Sequence, residues 1–240
     1  GDEIGVLLAD HLIRFGVGAD HPGGRVVANS IVSSRLLSRM AEAEGITSVT
    51  TLTGFKWVAR PIVEQPEKHY LLGYEEAIGY CVGAAVRDKD GISAALVAAE
   101  VLASLAAEGR TVWDRLDDLA VEHGVYRTGP VTIRYDGPDG NERRQATMER
   151  VIADPPAALA GRDRTSFENL ADGATLPPAP GVVMHCDTTR VIVRQSGTEP
   201  KLKADIEVIE PVSDDGLAAA RGRADETLAA VQQELRTLLG

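Results

Sequence analysis

Apolar residues over positions 3–13 recur at Ile4, Leu7, Leu8 and Leu12, the i, i+3, i+4, i+8 spacing of one helical face. After a polar stretch with Pro22, Gly23 and Gly24 the period changes, and residues 25–32 read as a short buried strand. Ser33 or Ser34 can cap a helix over 35–44 that stops at Gly45, and the Thr- and Val-rich residues 46–52 form a second strand. A third apolar run covers 69–74. The Ala-rich stretch 92–108 predicts a long helix ended by Gly109. Thr111 then caps another over 112–123, with Val112, Leu116 and Leu119 on its apolar face and Gly124 at its end. Such alternation of helix and strand predicts an α/β unit built on a mixed or parallel sheet.

Past residues 124–130 the pattern shifts, which places a boundary between units 1–124 and 125–240. Residues 131–135 alternate like a strand with one exposed face, 136–140 form a turn, and 145–153 form a short helix ending near Pro155 and Pro156. An irregular strand over 165–170 and a Pro-rich loop over 174–180 follow. Residues 182–185 and 190–193 then pair as a hairpin around 187–189, and 204–208 add a further strand. The closing helix, 214–239, carries Leu217, Ala224, Leu228, Val231, Leu235 and Leu238 near one stripe. Antiparallel strands with two helices on one face make this second unit an α+β fold.

Composition narrows the functional classes. The 240 residues are 44% hydrophobic and 25% charged, as in globular domains, and their formal net charge of −11 disfavours nucleic acid or an anionic membrane as the main partner. Any phosphate site must therefore rest on a local basic cluster. The two cysteines, Cys81 and Cys186, lack metal-ligand spacing and fit reduced thiols in a cytoplasmic protein. Nothing resembles a signal peptide, and the apolar stretch 92–107 carries Glu100 and falls short of the ~20 residues that span a bilayer. The opening Gly1-Asp2-Glu3, without an initiator methionine, suggests a truncated piece of a longer chain.

Three stretches carry candidate chemistry. Between the strands near 191–193 and 204–208 lies a hydrophilic loop with Arg194, Ser196, Gly197, Thr198 and Lys201. An arginine fork, two hydroxyls, a glycine and an ammonium make an anion cradle, though a soluble hairpin turn has the same composition. Lys56 sits beside Gly54 just past a strand end, either in a ligand crevice or on an exposed helical turn. Glu75 and Glu76 directly follow an apolar strand, and adjacent carboxylates cannot both be buried cheaply. They suit vicinal sugar hydroxyls, a metal, acid–base work or the acidic start of a helix. Arg87 and Lys89 lie in a mixed-charge stretch that either extends a positive cleft or forms a solvated loop. His185 and Cys186 are consecutive in a strand and point to opposite faces, which excludes a Cys–His catalytic pair.

Taken in order, Thr53-Gly54-Phe55-Lys56-Trp57, Tyr74-Glu75-Glu76-Ala77, Arg87-Asp88-Lys89-Asp90-Gly91 and Arg194-Gln195-Ser196-Gly197-Thr198-Glu199-Pro200-Lys201 resemble motifs of the α-D-phosphohexomutases, the phosphoglucomutase and phosphomannomutase superfamily. The resemblance spans nearly the whole chain and corresponds to the third and fourth domains of that family. It implies that Glu75 and Glu76 bind the sugar, that Arg194, Ser196, Gly197, Thr198 and Lys201 hold the non-reacting phosphate, and that Lys56 and Arg87 line the cleft. The family's Ser-His-Asn-Pro phosphoserine loop and Asp-Gly-Asp-Gly-Asp magnesium loop are not in this sequence. The implied catalytic serine and Mg²⁺ ligands would belong to first and second domains of a longer protein. The implied reaction interconverts hexose 1-phosphate and hexose 6-phosphate through a glucose 1,6-bisphosphate-type intermediate. Ala77 departs from the family's serine, and Glu-Glu-Ala-Ile-Gly-Tyr leans toward the phosphopentomutase and glucose-1,6-bisphosphate-synthase-like branch. A stand-alone sugar-phosphate-binding module is the other expectation.

Overall fold

The computed structural model describes residues 1–196 and 199–240. The opening helical stripe forms α1 (Asp2–Phe15), which buries Val6, Leu7, Leu8, Ala9 and Ile13 and leaves Ile4 exposed. Its buried surface is wider than the single stripe because it packs on the sheet and against neighbouring helices. Strand β1 (Arg25–Ser30) is buried at every position, as expected of a central strand covered on both faces. Then come α2 (Leu36–Ala43), β2 (Thr47–Thr51) and the one-turn helices α3 (Phe55–Val58) and α4 (Pro61–Glu64). The first unit, Gly1–Gly124, closes with β3 (His69–Glu75), β4 (Gly79–Val82), α5 (Gly91–Ala107) and α6 (Val112–His123).

Its sheet runs β2-β1-β3-β4, with β1 parallel to β2 and β3 and with β4 antiparallel at the edge. One face packs Val26 and Ala28 against Phe55, Val58, Ala59, Tyr70 and Cys81. On α1, Gly5 permits close approach to β3, since a Cβ there would lie 2.8 Å from the Tyr74 ring. Helix α5 buries Ala94, Val97, Val101 and Leu105 but exposes Ile92, Leu96 and Leu102. Among the described residues no single helix is long and apolar enough to cross a membrane.

Strand β4 departs from expectation. The acidic pair at 75–76 also suited a helix start, but the chain reverses there, and Tyr74 and Glu75 pair with Tyr80 and Gly79. Ser34, not Ser33, serves the next helix: its hydroxyl accepts from the Leu36 N–H at 3.2 Å. Thr111 and Asp114 form a reciprocal capping box at α6, which satisfies two amides of the first turn.

The second unit, Val125–Gly240, is a six-stranded antiparallel sheet with helices packed on it. Its elements are β5 (Val125–Arg134), α7 (Gly140–Ala153), β6 (Ala158–Leu159), β7 (Arg162–Asn169), β8 (Gly181–Cys186), β9 (Thr189–Gln195), β10 (Lys201–Glu210) and α8 (Leu217–Leu239). The order β5-β10-β9-β8-β7-β6 puts β5 at an edge. That position explains why β5 begins well before residue 131: Pro130, which reads as a linker, is tolerated where a strand edge needs no N–H donor. Helix α7 starts at Gly140 rather than 145, because its polar first turn, Asn141 to Arg144, hides the helical period.

In β10 the alternation is plain. Leu202, Ala204, Ile206 and Val208 are buried on the face toward α8, while Lys201, Lys203, Asp205 and Glu207 occupy the other. There Glu207, 1% exposed, meets Arg190 of β9 at 3.4 Å. Both cysteines are buried, Cys81 in the first unit and Cys186 in the second. Burial pushes the Cys81 thiol up to about 11 and raises that of Cys186 as well.

A buried ion pair costs most when one partner is removed. Glu207→Leu should therefore destabilise the second unit by about 3–5 kcal/mol. The double change Arg190→Met with Glu207→Leu should recover most of that loss, as read by urea denaturation.

Candidate functional site

The parallel strands of the first unit bring their C-terminal ends together, where open α/β sheets bind ligands. Ser30 ends β1, Thr51 ends β2 and Glu75 ends β3. The Glu75 carboxylate accepts from the Gly54 N–H at 2.5 Å and so ties the end of β3 to the loop entering α3. Gly54 adopts φ 106° and ψ 137°, a conformation that glycine alone takes readily. Glu76 meets the segment after β1: its N–H donates to Ser33 Oγ at 3.0 Å, and its Oε2 accepts from Ser30 and Ser33 at 3.3 and 3.4 Å. That segment is shaped by the Asn29 amide, which donates to the Ser34 carbonyl at 2.7 Å, and by Asp2, which accepts from the Ser34 N–H at 2.8 Å.

Two basic residues, Lys56 and Arg87, are expected to line the cleft. Lys56 is exposed on α3, with its ammonium 5.5 Å from the Trp57 ring centroid. Arg87 is exposed in the connection between β4 and α5. The basic side chain of that connection that reaches the strand-end loops is Lys89. Its ammonium stands 4.6 Å from the Phe55 ring centroid, and its stem lies against Gly79. Asp90 is used locally, its side chain capping α5 at the Ile92 N–H.

In the second unit, Arg194 lies near the end of β9 with Ser196 just beyond, and Lys201 begins β10. Gly197 and Thr198 lie outside the described residues. The Arg194 Nε donates to Asp205 across the ladder at 2.7 Å, which holds the guanidinium in orientation. Lys201 is ion-paired with Glu199, and Arg134 of β5 reaches the same carboxylate at 3.2 Å. Hydrogen bonding from Lys201, with that of Arg134, holds the Glu199 carboxyl below its ordinary range. The register sets Lys203 opposite Arg194 and Lys201 opposite Arg134, so four cations gather near the loop with Asp205 and Glu199 between them. In a chain of net charge −11 this is a local concentration of basic side chains.

Arg144, on α7, was not singled out in the sequence. Its Nη1 donates to the carbonyls of Ser196 and Glu199 at 3.1 and 3.3 Å, bonding both sides of the loop. The Ser196 N–H adds a bond to the Lys201 carbonyl at 3.0 Å. No sequence signal marks Arg144, since the bonds reach across 52 and 55 residues. Among the described residues no group of three or more His, Cys, Asp and Glu side chains is placed to hold a metal ion.

Fold and side chains together define a two-unit α/β chain with an oxygen-rich cluster at its parallel strand ends and a separate basic loop on an antiparallel sheet. Residues 1–122 match the family described as phosphoglucomutase/phosphomannomutase, alpha/beta/alpha domain III, and the chain belongs to that family. The phosphoglucomutase of Staphylococcus haemolyticus (strain JCSC1435) is 32% identical over 232 residues, covering 90% of this chain and 42% of that protein. The phosphopentomutase of Homo sapiens is 29% identical over 231 residues, covering 85% of this chain and 36% of that protein. In fold, the chain is similar to the open form of the Paramecium phosphoprotein parafusin, a phosphoglucomutase. The TM-score is 0.66 and the identity 20%, over 99% of this chain and 40% of that one. The chain thus spans about two fifths of the length of the relatives it matches.

The geometry of Gly54 yields a test. A Cβ at this position meets nothing within 4 Å, so any cost of Gly54→Ala is conformational and not steric. The substitution should destabilise the first unit by about 1–3 kcal/mol and weaken the tie to Glu75. Urea denaturation followed by the fluorescence of Trp57 and Trp113, both in the first unit, reads the loss of stability; an unchanged midpoint would remove Gly54 as the reason the loop holds its shape.

Proposed function

We propose that this chain supplies the sugar-reading and phosphate-gripping parts of a phosphohexomutase, which interconverts hexose 1-phosphate and hexose 6-phosphate through a bisphosphate. The observation that carries this reading is the meeting of Glu75, Glu76 and Gly54 at the ends of parallel strands, in a unit that the family description covers almost completely. Carboxylates at that turn accept hydrogen bonds from sugar hydroxyls, which an ionised acceptor does at fixed geometry. The loop from Arg194 to Lys201 grips the phosphate that is not reacting, with Arg194, Ser196, Gly197, Thr198 and Lys201 as its ligands. Lys56 adds positive potential. Transfer of a phosphoryl group depends on positioning and charge neutralisation, and these residues serve both. The phosphorylated serine and the Mg²⁺ that family membership implies are assigned to no residue of this chain. Its contribution is binding, and the remaining domains of a longer protein are its partners.

A second reading, action on pentose phosphates, is favoured by Ala77. Its methyl stands exposed on the carboxylate turn where a serine would offer another hydroxyl to the sugar.

Calorimetric titration of the chain with glucose 1,6-bisphosphate tests the main reading. The chain should bind, and Arg194→Ala should weaken binding by about 1.5–3 kcal/mol, the worth of hydrogen bonds to a charged group. Equal binding by both proteins would remove Arg194 from the site. Tighter binding of ribose 5-phosphate than of glucose 6-phosphate would favour the pentose reading. In a coupled assay the chain alone should show no mutase turnover.

A further inference from the structure

Glu75 and Glu76 are adjacent in sequence and equivalent in chemistry, yet their surroundings separate them. Glu75 belongs to β3, pairs with Gly79 across the hairpin, and turns its carboxylate to the loop that carries Lys56. Glu76 lies in the turn itself and is engaged through both backbone and side chain. Its N–H donates to Ser33 Oγ at 3.0 Å, while its Oε2 faces the hydroxyls of Ser30 and Ser33. Those two serines are buried and lie 2.7 Å apart, oxygen to oxygen. Two hydroxyl protons thus serve three contacts, and the carboxylate, which can only accept when ionised, is where the chain of donors ends. Two buried hydroxyls that converge on one carboxylate restrain that side chain, since an ionised carboxylate accepts from both.

The turn that Glu76 anchors is strained. Ile78, two residues on, has φ 59°, in the left-handed region that a β-branched residue avoids, and its side chain is exposed, so no burial of its own rewards that conformation. Strain of this kind persists where the surroundings over-determine the backbone. Here the constraints are the bonds of Glu76 to Ser33 and Ser30, together with the Tyr80 hydroxyl, which donates to the Gly1 carbonyl at 2.9 Å from the far side of the hairpin.

We propose that Glu76 is a positioning residue, latched by Ser30 and Ser33, that clamps the β3–β4 turn to the end of β1 so that Glu75 alone presents its carboxylate to the sugar. The inference rests on the sugar-binding reading of this turn and divides the labour within it. Glu75 touches the ligand, and Glu76 acts through the backbone that carries Glu75.

A double-mutant cycle separates the two roles. Glucose 1,6-bisphosphate is titrated into the chain and into Glu75→Gln, Ser33→Ala and the double variant. Glu75→Gln should weaken binding about tenfold, and Ser33→Ala should weaken it to a smaller degree. The double variant should bind no worse than Glu75→Gln alone, because the latch matters only through Glu75. Losses that multiply would mean that the latch acts on binding by a route other than Glu75, and would overturn the proposal. If Ser33→Ala does not fold, Ser30→Ala takes its place in the same cycle. Amide hydrogen exchange without ligand provides a second, independent arm: Ser33→Ala should speed exchange at the Glu76 N–H and leave the amides of α8 unchanged. A wild-type chain that binds no bisphosphate defeats the functional reading. Unchanged exchange at Glu76 defeats the latch, whatever the calorimetry shows.

Discussion

The parallel register of β1 against β3 is the constraint on which the first unit depends. Asn29 stands level with Tyr74, so the next residues, Ser30 and Glu75, leave the sheet side by side. The ladder reaches that alignment only after an irregularity between Val26 and Val27. A slip of one residue would turn each strand's side chains to the opposite face. Val26 and Ala28 would lose their cluster with Phe55 and Tyr70, and the serines that meet Glu76 would be carried away from it. Core packing and the polar cluster are therefore specified by the same backbone hydrogen bonds. Burial of aliphatic side chains holds the register, and the register places the oxygens.

The second unit solves a different problem, gathering positive charge in an acidic chain. Arg194 and Lys203 are opposed across one pair of strands, and Lys201 and Arg134 across the next, so cations accumulate where pairing brings them. Asp205 and Glu199 divide them. The carboxylates lower the cost of holding like charges together, and each orients the guanidinium or ammonium it touches.

Much of this was legible in the sequence. The fully buried β1, the long Ala-rich α5, the capping at Thr111 and the arginine-serine loop each leave a local signature in period or composition. What escaped notice depends on contacts distant in sequence. Ser33 reads as a helix cap, but its hydroxyl is taken by Glu76, 43 residues away, while Ser34 meets the helix amide. Arg144 reads as one more charge in a polar helical turn, yet it bonds two carbonyls of a loop more than fifty residues on. The hairpin at Glu75–Gly79 was hidden because its reversal uses Ile78 with a positive φ, where a glycine or asparagine would have announced the turn. The adjacent glutamates looked alike for the same reason: only the fold supplies different neighbours to each.

The placement of the two thiols has a practical consequence. Each compact unit contains a single cysteine, shielded from solvent, and burial disfavours the reactive thiolate of both. An alkylating reagent can modify either one only when its unit opens. Labelling rates at Cys81 and Cys186, resolved by mass, therefore provide two native clocks in one molecule. They would time the breathing of the carboxylate-bearing unit separately from that of the cation-bearing unit, without any engineered probe.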